Sequence, residues 1–205
     1  MIGIIDYHAG NITSVERALK SLNISFILSK NPAELENCSK LIFPGVGEAA
    51  YAMNQLEKTG FDKFIKEKTA AKVPLLGICL GSQIIFENSE EGNTPCLGLI
   101  KGSIRHFTSI ASSITESGLK VPHMGWNNLE RKDCPLLNDV PQNADFYFVH
   151  SYVICPQDQN VIKAYADYGI KVPAVIQSGN IFACQFHPEK SGIPGLKILS
   201  NFCNL

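Results

Sequence analysis

A cysteine at the junction of two differently patterned segments is the feature that most constrains the fold. Residues 74–79 read PLLGIC, which is typical of a buried parallel strand, and residues 80–87 read LGSQIIFE, which favours a helix. Cys79 would then occupy a sharp strand-to-helix turn that pushes its side chain out at the carboxyl edge of a sheet. Gly77 and Gly81 fit this prediction, because the backbone on either side of such a turn must pass close behind it.

Strand and helix signals alternate through the first half of the chain and give way to mostly strand signals in the second half. Besides the helix at 80–87, the predicted helices are residues 11–22, 49–56 and a closing helix at 196–202. Besides the strand at 74–79, the predicted strands are residues 2–6, 25–28, 41–43, 97–101, 126–129, 146–149, 161–168, 174–177 and 181–186. This order predicts an α/β fold with a mostly parallel sheet, helices on both faces and an antiparallel extension. No repeat or linker marks a boundary, so we expect a single domain over residues 1–205.

Composition narrows the possible functions. The chain has 205 residues, 45% of them apolar, and a net charge of -1 without a basic run, which argues against nucleic-acid or membrane partners. The number of cysteines is odd at 7, with no Cys-x-x-Cys pair, which disfavours a disulfide framework and a zinc site. The amino terminus lacks a leader pattern and no apolar run reaches membrane-spanning length. We therefore expect a cytoplasmic protein without metal or other cofactor.

A second motif, His187-Pro188-Glu189, supplies a base and an orienting acid. It follows a predicted strand, and the residue before proline favours extended backbone, so the side chains of His187 and Glu189 should share a face. A carboxylate beside one imidazole nitrogen leaves the other free to take a thiol proton. Lone cysteines and histidines are usually structural, but the two motifs together predict a cysteine-based amide hydrolase. The free amide of Leu80 could bind the oxyanion.

Several further segments should lie near the carboxyl ends of the strands. The PGVG turn at residues 44–47 could complete an oxyanion hole through Val46 and Gly47, or be an ordinary turn. The residues 150–152 could bind substrate polar groups or simply pack. Trp126, the only tryptophan, fits either an interface or the core, and Asn11 could simply cap a helix.

These motifs resemble the class I, triad-type glutamine amidotransferases, and within them the glutaminase subunits of imidazole glycerol phosphate synthase from histidine biosynthesis. The resemblance spans essentially the whole chain. The GICLGSQ and FHPE segments, residues 77–83 and 186–189, fit the broad class, whereas residues 44–47, 121–127 and 148–152 look like the narrower group. The resemblance implies that Cys79 attacks the glutamine side-chain amide, that His187 protonates the leaving ammonia, and that water then resolves a glutamyl thioester.

The resemblance also implies substrate and partner contacts. Gln83 and Glu91 would hold glutamine, although a glutamate in a Ser-Glu-Glu run is by itself usually a solvated charge. Other implied substrate contacts are Gly47, His150, Ser151 and Tyr152. The implied partner is a separate cyclase subunit with a (β/α)8 barrel, which forms a heterodimer and receives the ammonia. Candidates for the partner face are Asn11, Trp126, Tyr147 and Lys190.

Three alternatives remain open at this point. An amidotransferase that serves another synthase, such as a surface-sugar amidating enzyme, would keep the triad and differ in its interface. A stand-alone cysteine peptidase on a similar fold would cleave peptides without glutamine specificity. A non-catalytic module would not need all of Cys79, His187 and Glu189.

Overall fold

The computed structural model describes residues 1–8, 12–111, 114 and 118–205, and its largest element is an eight-stranded sheet. The helices of this part of the chain are α1 (Ile12–Ser21), α2 (Ala49–Thr59), α3 (Phe61–Ala70), α4 (Leu80–Gln83), α5 (Phe107–Ile110) and α6 (Gly192–Cys203). The strands are β1 (Ile2–Ile5), β2 (Phe26–Ser29), β3 (Lys40–Gly45), β4 (Leu75–Cys79), β5 (Asn88–Ser89), β6 (Thr94–Pro95), β7 (Gly102–His106), β8 (His123–Asn127), β9 (Glu130–Arg131), β10 (Phe146–His150), β11 (Tyr152–Pro156), β12 (Ile162–Asp167), β13 (Lys171–Ser178) and β14 (Ile181–Cys184).

The order of the large sheet is β2-β1-β3-β4-β14-β13-β12-β9. The first five strands in this order are mutually parallel, and the pairs β14–β13, β13–β12 and β12–β9 are antiparallel. The predicted parallel sheet with an antiparallel extension is thus confirmed. Strand β4 lies between two parallel neighbours, β3 and β14, so its carboxyl end is held on both sides.

Helices cover both faces of this sheet, as the sequence predicts. Along β3, Ile42 packs into one buried cluster, whereas its neighbours Leu41 and Phe43 pack into the other. Such alternation arises because successive side chains of a strand point to opposite faces. Residues of α1 and α6 belong to the first cluster, and residues of α2 and α3 to the second.

The segment after the Cys79 turn differs from the prediction. Helix α4 ends at Gln83 rather than at residue 87, and residues 97–101 are not a strand. The two errors have one cause, because the carbonyls of residues 84–86 accept hydrogen bonds from the amides of residues 97–99 at 2.7–2.9 Å. Those carbonyls therefore do not accept from a further helical turn, and those amides do not pair with a strand.

Two small sheets complete the fold beside the large one. Strands β11-β7-β5-β6 form one, and β10 pairs with β8 in the other. The predicted strand at residues 126–129 is observed as β8 at His123–Asn127. The elements that were not predicted are α3, α5, β5, β6, β7, β9 and β11. All seven cysteines lie in the described residues and are free. In the same part of the chain no helix is long and apolar enough to cross a membrane.

Candidate active site

Cys79 ends β4 and precedes α4 with an unusual backbone conformation, φ 54° and ψ -110°. Positive φ is costly for a residue with a side chain, and it persists where the surrounding structure enforces it. The backbone behind the turn is closely packed, since a Cβ on Gly81 would lie 2.0 Å from the Phe43 carbonyl oxygen, and one on Gly77 would lie 2.7 Å from the Gly81 carbonyl oxygen. The predicted reason for these two glycines is confirmed.

The turn opens into a cavity of about 320 Å³, a size typical of small-molecule sites. We call it the elbow cavity. It is lined by Val46, Gly47, Cys79, Leu80, Gln83, Glu91, Pro122, Val149, His150, Ser151, Tyr152 and His187. The sequence-predicted nucleophile, base, oxyanion donors and substrate contacts thus meet at one place. Pro122 and Val149 also line the cavity; they belong to the segments 121–127 and 148–152, but the sequence assigned neither of them a role.

His187 and Glu189 form a buried pair, of which His187 lines the cavity. The distance between His187 Nδ1 and Glu189 Oε1 is 2.8 Å, and their side chains are only 2% and 1% exposed. A carboxylate can only accept, so Nδ1 carries the hydrogen when His187 is neutral. His187 Nε2 and Glu189 Oε2 have no hydrogen-bond partner in the described structure. Nε2 is therefore free to exchange a proton with a group in the cavity.

The Cys79 thiol is directed elsewhere in this conformation. Its Sγ lies 4.0 Å from the Val149 carbonyl oxygen, so that contact is weak. Burial lowers the pKa of His187, but the nearby Cys79 and the hydrogen-bonded Glu189 carboxylate outweigh burial and raise the pKa to about 9. The sulfur is close enough to act on His187, yet Nε2 is unpaired.

Ser191 fixes the backbone of the His187 segment and was missed by sequence reasoning. Its hydroxyl donates to the His187 carbonyl at 2.6 Å and accepts from the Tyr147 amide at 3.0 Å. The His187 amide in turn donates to the Tyr147 carbonyl at 3.0 Å. Ser191 is buried, and it joins the base-bearing segment to β10.

Replacing Ser191 with alanine should lower the free energy of unfolding by about 1–3 kcal/mol, because the partly buried Tyr147 amide and the buried His187 carbonyl each lose a hydrogen-bond partner. Urea unfolding measures this change. The matched control is Ser200→Ala on α6, where the hydroxyl is partly exposed and accepts only a long bond of 3.4 Å. Equal stability of the two variants would contradict a structural role for Ser191.

Gln83 and Glu91 line the cavity, and hydrogen bonds to other residues hold each of them in place. Gln83 Nε2 donates to the Tyr152 carbonyl at 3.2 Å and to Gln185 Oε1 at 2.9 Å. Glu91 Oε2 accepts from the Ala49 amide at 2.8 Å. Burial raises the pKa of Glu91, and the bond from Ala49 opposes this shift. Glu91 is therefore a half-buried carboxylate rather than a solvated charge, and Gln185 is a buried support that the sequence did not reveal.

The predicted oxyanion donors surround Cys79. Val46 and Gly47 are exposed on the turn after β3, with φ 96° at Gly47, and Leu80 begins α4 on the same cavity. A Cβ on Gly45 would lie 2.7 Å from the Gly81 amide nitrogen, so the turn after β3 and the Cys79 turn are in close contact.

His150 has no ring nitrogen left for a substrate. Its Nδ1 lies 2.7 Å from the Tyr152 carbonyl oxygen, and its Nε2 lies 3.0 Å from His123 Nδ1. His150 is also buried, with 6% of its surface exposed. A contribution of residues 150–152 to substrate binding would therefore use the backbone or the side chains of Ser151 and Tyr152.

The two buried histidines give a pH-dependence. Burial lowers the pKa of His123 from 6.5 to about 4 and that of His150 from 6.5 to about 3. At pH 5 both are neutral in the folded protein and protonated in the unfolded chain. Because the unfolded state then binds more protons, stability should fall as pH drops from 6.5 towards 4, by about 1.4 kcal/mol per pH unit for each histidine.

His123→Phe should reduce the change in unfolding free energy per pH unit by the contribution of one histidine. Urea unfolding at several pH values between 4 and 6.5 measures this change. The matched control is Tyr168→Phe, which keeps the ring stacked on His123 and removes no group that titrates in this range. An unchanged slope in His123→Phe would contradict the buried neutral state of His123.

Three of the four predicted partner residues lie together beside the cavity. The Trp126 ring is 5.9 Å from the Tyr147 ring, and Lys190 Nζ lies 5.9 Å from the centre of the Tyr147 ring. The Tyr147 ring is 6.3 Å from His187, which connects this group to the base. Trp126 is 59% exposed, which excludes the core role. The fourth residue, Asn11, lies outside the described residues.

Comparison with known proteins identifies relatives over the whole chain. The model of the class I glutamine amidotransferase family matches residues 3–204. The imidazole glycerol phosphate synthase subunit HisH of Geobacillus sp. (strain WCH70) is 46% identical over 207 residues, covering 100% of this chain and 97% of that protein. The subunit of the same name from Dehalococcoides mccartyi (strain CBDB1) is 42% identical over 204 residues, covering 98% and 96%.

Solved structures share the fold at low sequence identity. A crystal structure of a glutamine amidotransferase has a TM-score of 0.75 at 19% identity and covers 100% of this chain and 99% of that one. The structure of PurLQS from Thermotoga maritima has a TM-score of 0.71 at 18% identity, with 99% and 97% covered. These likenesses confirm the fold class.

Proposed function

The chain belongs to the class I glutamine amidotransferases, and we propose that Cys79, His187 and Glu189 are its catalytic triad. It is the glutamine-hydrolysing subunit of an imidazole glycerol phosphate synthase in histidine biosynthesis, as are relatives of that name at 42–46% identity over essentially the full chain. One observation carries the triad proposal. The buried His187–Glu189 pair, 2.8 Å apart, leaves Nε2 unpaired at the cavity onto which the strained Cys79 turn opens.

The proposed reaction has two stages. His187 Nε2 takes the Cys79 thiol proton, and Sγ attacks the side-chain amide carbon of glutamine. The resulting oxyanion would be bound by the amides of Leu80 and of Val46 or Gly47. When the C–N bond breaks, His187 returns the proton to the leaving nitrogen, which gives ammonia and a glutamyl thioester. His187 then deprotonates a water that attacks the thioester carbon. When the C–S bond breaks, His187 returns that proton to the sulfur, so glutamate is released and the free thiol is restored.

The cavity offers complementary groups for the rest of glutamine. The half-buried Glu91 carboxylate suits the α-ammonium group, and its bond to Ala49 holds it in place. Gln83 would meet polar atoms of the substrate, and Gly47, Ser151 and Tyr152 would add further contacts. His150 would contribute through its backbone, because both of its ring nitrogens are already hydrogen-bonded.

We further propose that the ammonia passes to a separate cyclase subunit with a (β/α)8 barrel, in a heterodimer. Ammonia released into water near neutral pH would be protonated and lose its nucleophilicity, so the acceptor must be close. The group of Trp126, Tyr147 and Lys190 beside the cavity is suited to this contact, because Trp126 is exposed and aromatic. We propose that residues 1–205 act as one domain in the cytoplasm.

The test is glutamine hydrolysis by the purified chain, alone and with the cyclase subunit of an imidazole glycerol phosphate synthase carrying its ribotide ligand. Strong stimulation by the liganded cyclase would support both the reaction and the partner. If only a different synthase stimulates glutamine hydrolysis, the protein would be assigned to the pathway of that synthase. Peptide cleavage without glutamine turnover would favour the peptidase alternative.

A further inference from the structure

We propose that His123, a residue outside the elbow cavity, is a positioning residue for glutamine binding. It would act through a hydrogen-bonded chain that runs from His123 through His150 and the Tyr152 carbonyl to the amide group of Gln83. The inference rests on the proposed function, because it concerns the binding of the same substrate. We call these four residues the histidine relay.

The relay begins with a pair of histidines on neighbouring strands. His123 on β8 and His150 on β10 are directly opposite in the antiparallel register. Their side chains are 2% and 6% exposed, and His123 Nδ1 lies 3.0 Å from His150 Nε2. His150 Nδ1 lies 2.7 Å from the Tyr152 carbonyl oxygen. Only His150 of the two lines the cavity.

The hydrogen positions follow from the partners. A carbonyl oxygen can only accept, so His150 Nδ1 must carry a hydrogen. In a neutral imidazole the other nitrogen is then an acceptor, so His123 Nδ1 must donate to His150 Nε2. Each bond thus fixes the next, and His123 supplies the first donor.

The far end of the relay determines which atom Gln83 offers to the substrate. The Tyr152 carbonyl accepts from His150 and also from Gln83 Nε2 at 3.2 Å. The same nitrogen donates to Gln185 Oε1 at 2.9 Å, so both of its hydrogens are used. The amide oxygen of Gln83 is then the atom available at the cavity, and it can accept from an N–H group of glutamine.

Neighbouring aromatic rings hold the His123 and His150 rings in place, and burial keeps both of them neutral. His123 is stacked between Phe148 and Tyr168, with ring centres 4.6 and 4.0 Å away, and Phe107 packs against His150 at 5.2 Å. Burial lowers the pKa of both histidines, and the nearby His187 lowers that of His150 further. Both rings therefore stay neutral at neutral pH, which keeps the direction of the relay.

Kinetics with three variants test the relay, using the complex with the liganded cyclase. His123→Phe keeps a flat ring but removes the donor, and we expect KM for glutamine to rise about tenfold with kcat changed less than about threefold, as for lost binding rather than lost chemistry. His123→Asn can place an N–H near the position of Nδ1 and should restore most of the affinity. Tyr168→Phe keeps the stacking and should match the wild type.

A wild-type KM in His123→Phe, or a defect in His123→Asn as large as in His123→Phe, would overturn the relay. A wild-type complex without glutaminase activity would instead overturn the proposed function. Nitrogen NMR of the wild-type imidazole rings tests the relay without activity and without any variant that might fail to fold. We expect His150 to be protonated at Nδ1 only, and protonation at Nε2 instead would overturn the inference.

Discussion

Replacing Cys79 with alanine should abolish glutamine hydrolysis, with kcat in the cyclase complex falling about 10⁴-fold or more. In the proposed reaction the other lining groups would still bind glutamine, but none of them would provide the thiol that forms the glutamyl thioester. The fold should survive, because alanine removes one sulfur atom at a position that is 8% exposed on the cavity. Steady-state kinetics and a circular dichroism spectrum measure the two effects.

The matched control is Cys155→Ala, which removes a free, partly exposed thiol on β11 outside the cavity. It should keep wild-type turnover. Hydrolysis by Cys79→Ala within a hundredfold of the wild-type rate would show that the nucleophile lies elsewhere.

Replacing Gly81 with alanine should destabilise the protein by about 4 kcal/mol or more, among the largest effects of a single substitution. The added Cβ would lie 2.0 Å from the Phe43 carbonyl oxygen, which belongs to the neighbouring strand β3. Since backbone is in the way, no side-chain rotation can relieve the overlap. Either β3 or the Cys79 turn must move, so urea unfolding should show lower stability and any soluble protein should have little activity.

Gly98→Ala is the control that separates steric overlap from the cost of an unfavourable backbone conformation. Gly98 has φ 67°, and a Cβ there would have no atom within 4 Å. We therefore expect only the cost of a left-handed backbone for a residue with a side chain, about 1–2 kcal/mol. Similar losses in both variants would contradict the close packing behind Cys79.

Local patterns predicted the parts of the fold that depend on neighbouring residues. The apolar run before Cys79 and the two glycines around it specify the turn, and the alternation of strand and helix signals specifies the large sheet. The residue at which α4 ends could not be predicted from local patterns. It depends on hydrogen bonds between residues 84–86 and 97–99, and no local pattern in either segment reveals that partnership.

In the candidate site, too, local patterns predict some residues, whereas others depend on contacts between distant segments. The two motifs place Cys79, His187 and Glu189, because each motif carries its geometry in a few adjacent residues. Ser191 and Gln185 stand in no recognisable pattern, and their roles arise only when β10, α4 and the His187 segment meet. The direction of the Cys79 thiol towards Val149 is likewise a property of the folded cavity.

Intact-mass and peptide mass spectrometry of the cyclase complex, acid-quenched during glutamine turnover, tests the central claim most directly. We predict a fraction of the chain that carries one added glutamyl group on the peptide containing Cys79, sensitive to hydroxylamine as a thioester is, and absent from Cys79→Ala. Rapid glutamine turnover without that adduct, or with the adduct on a different residue, would contradict the claim that Cys79 is the nucleophile.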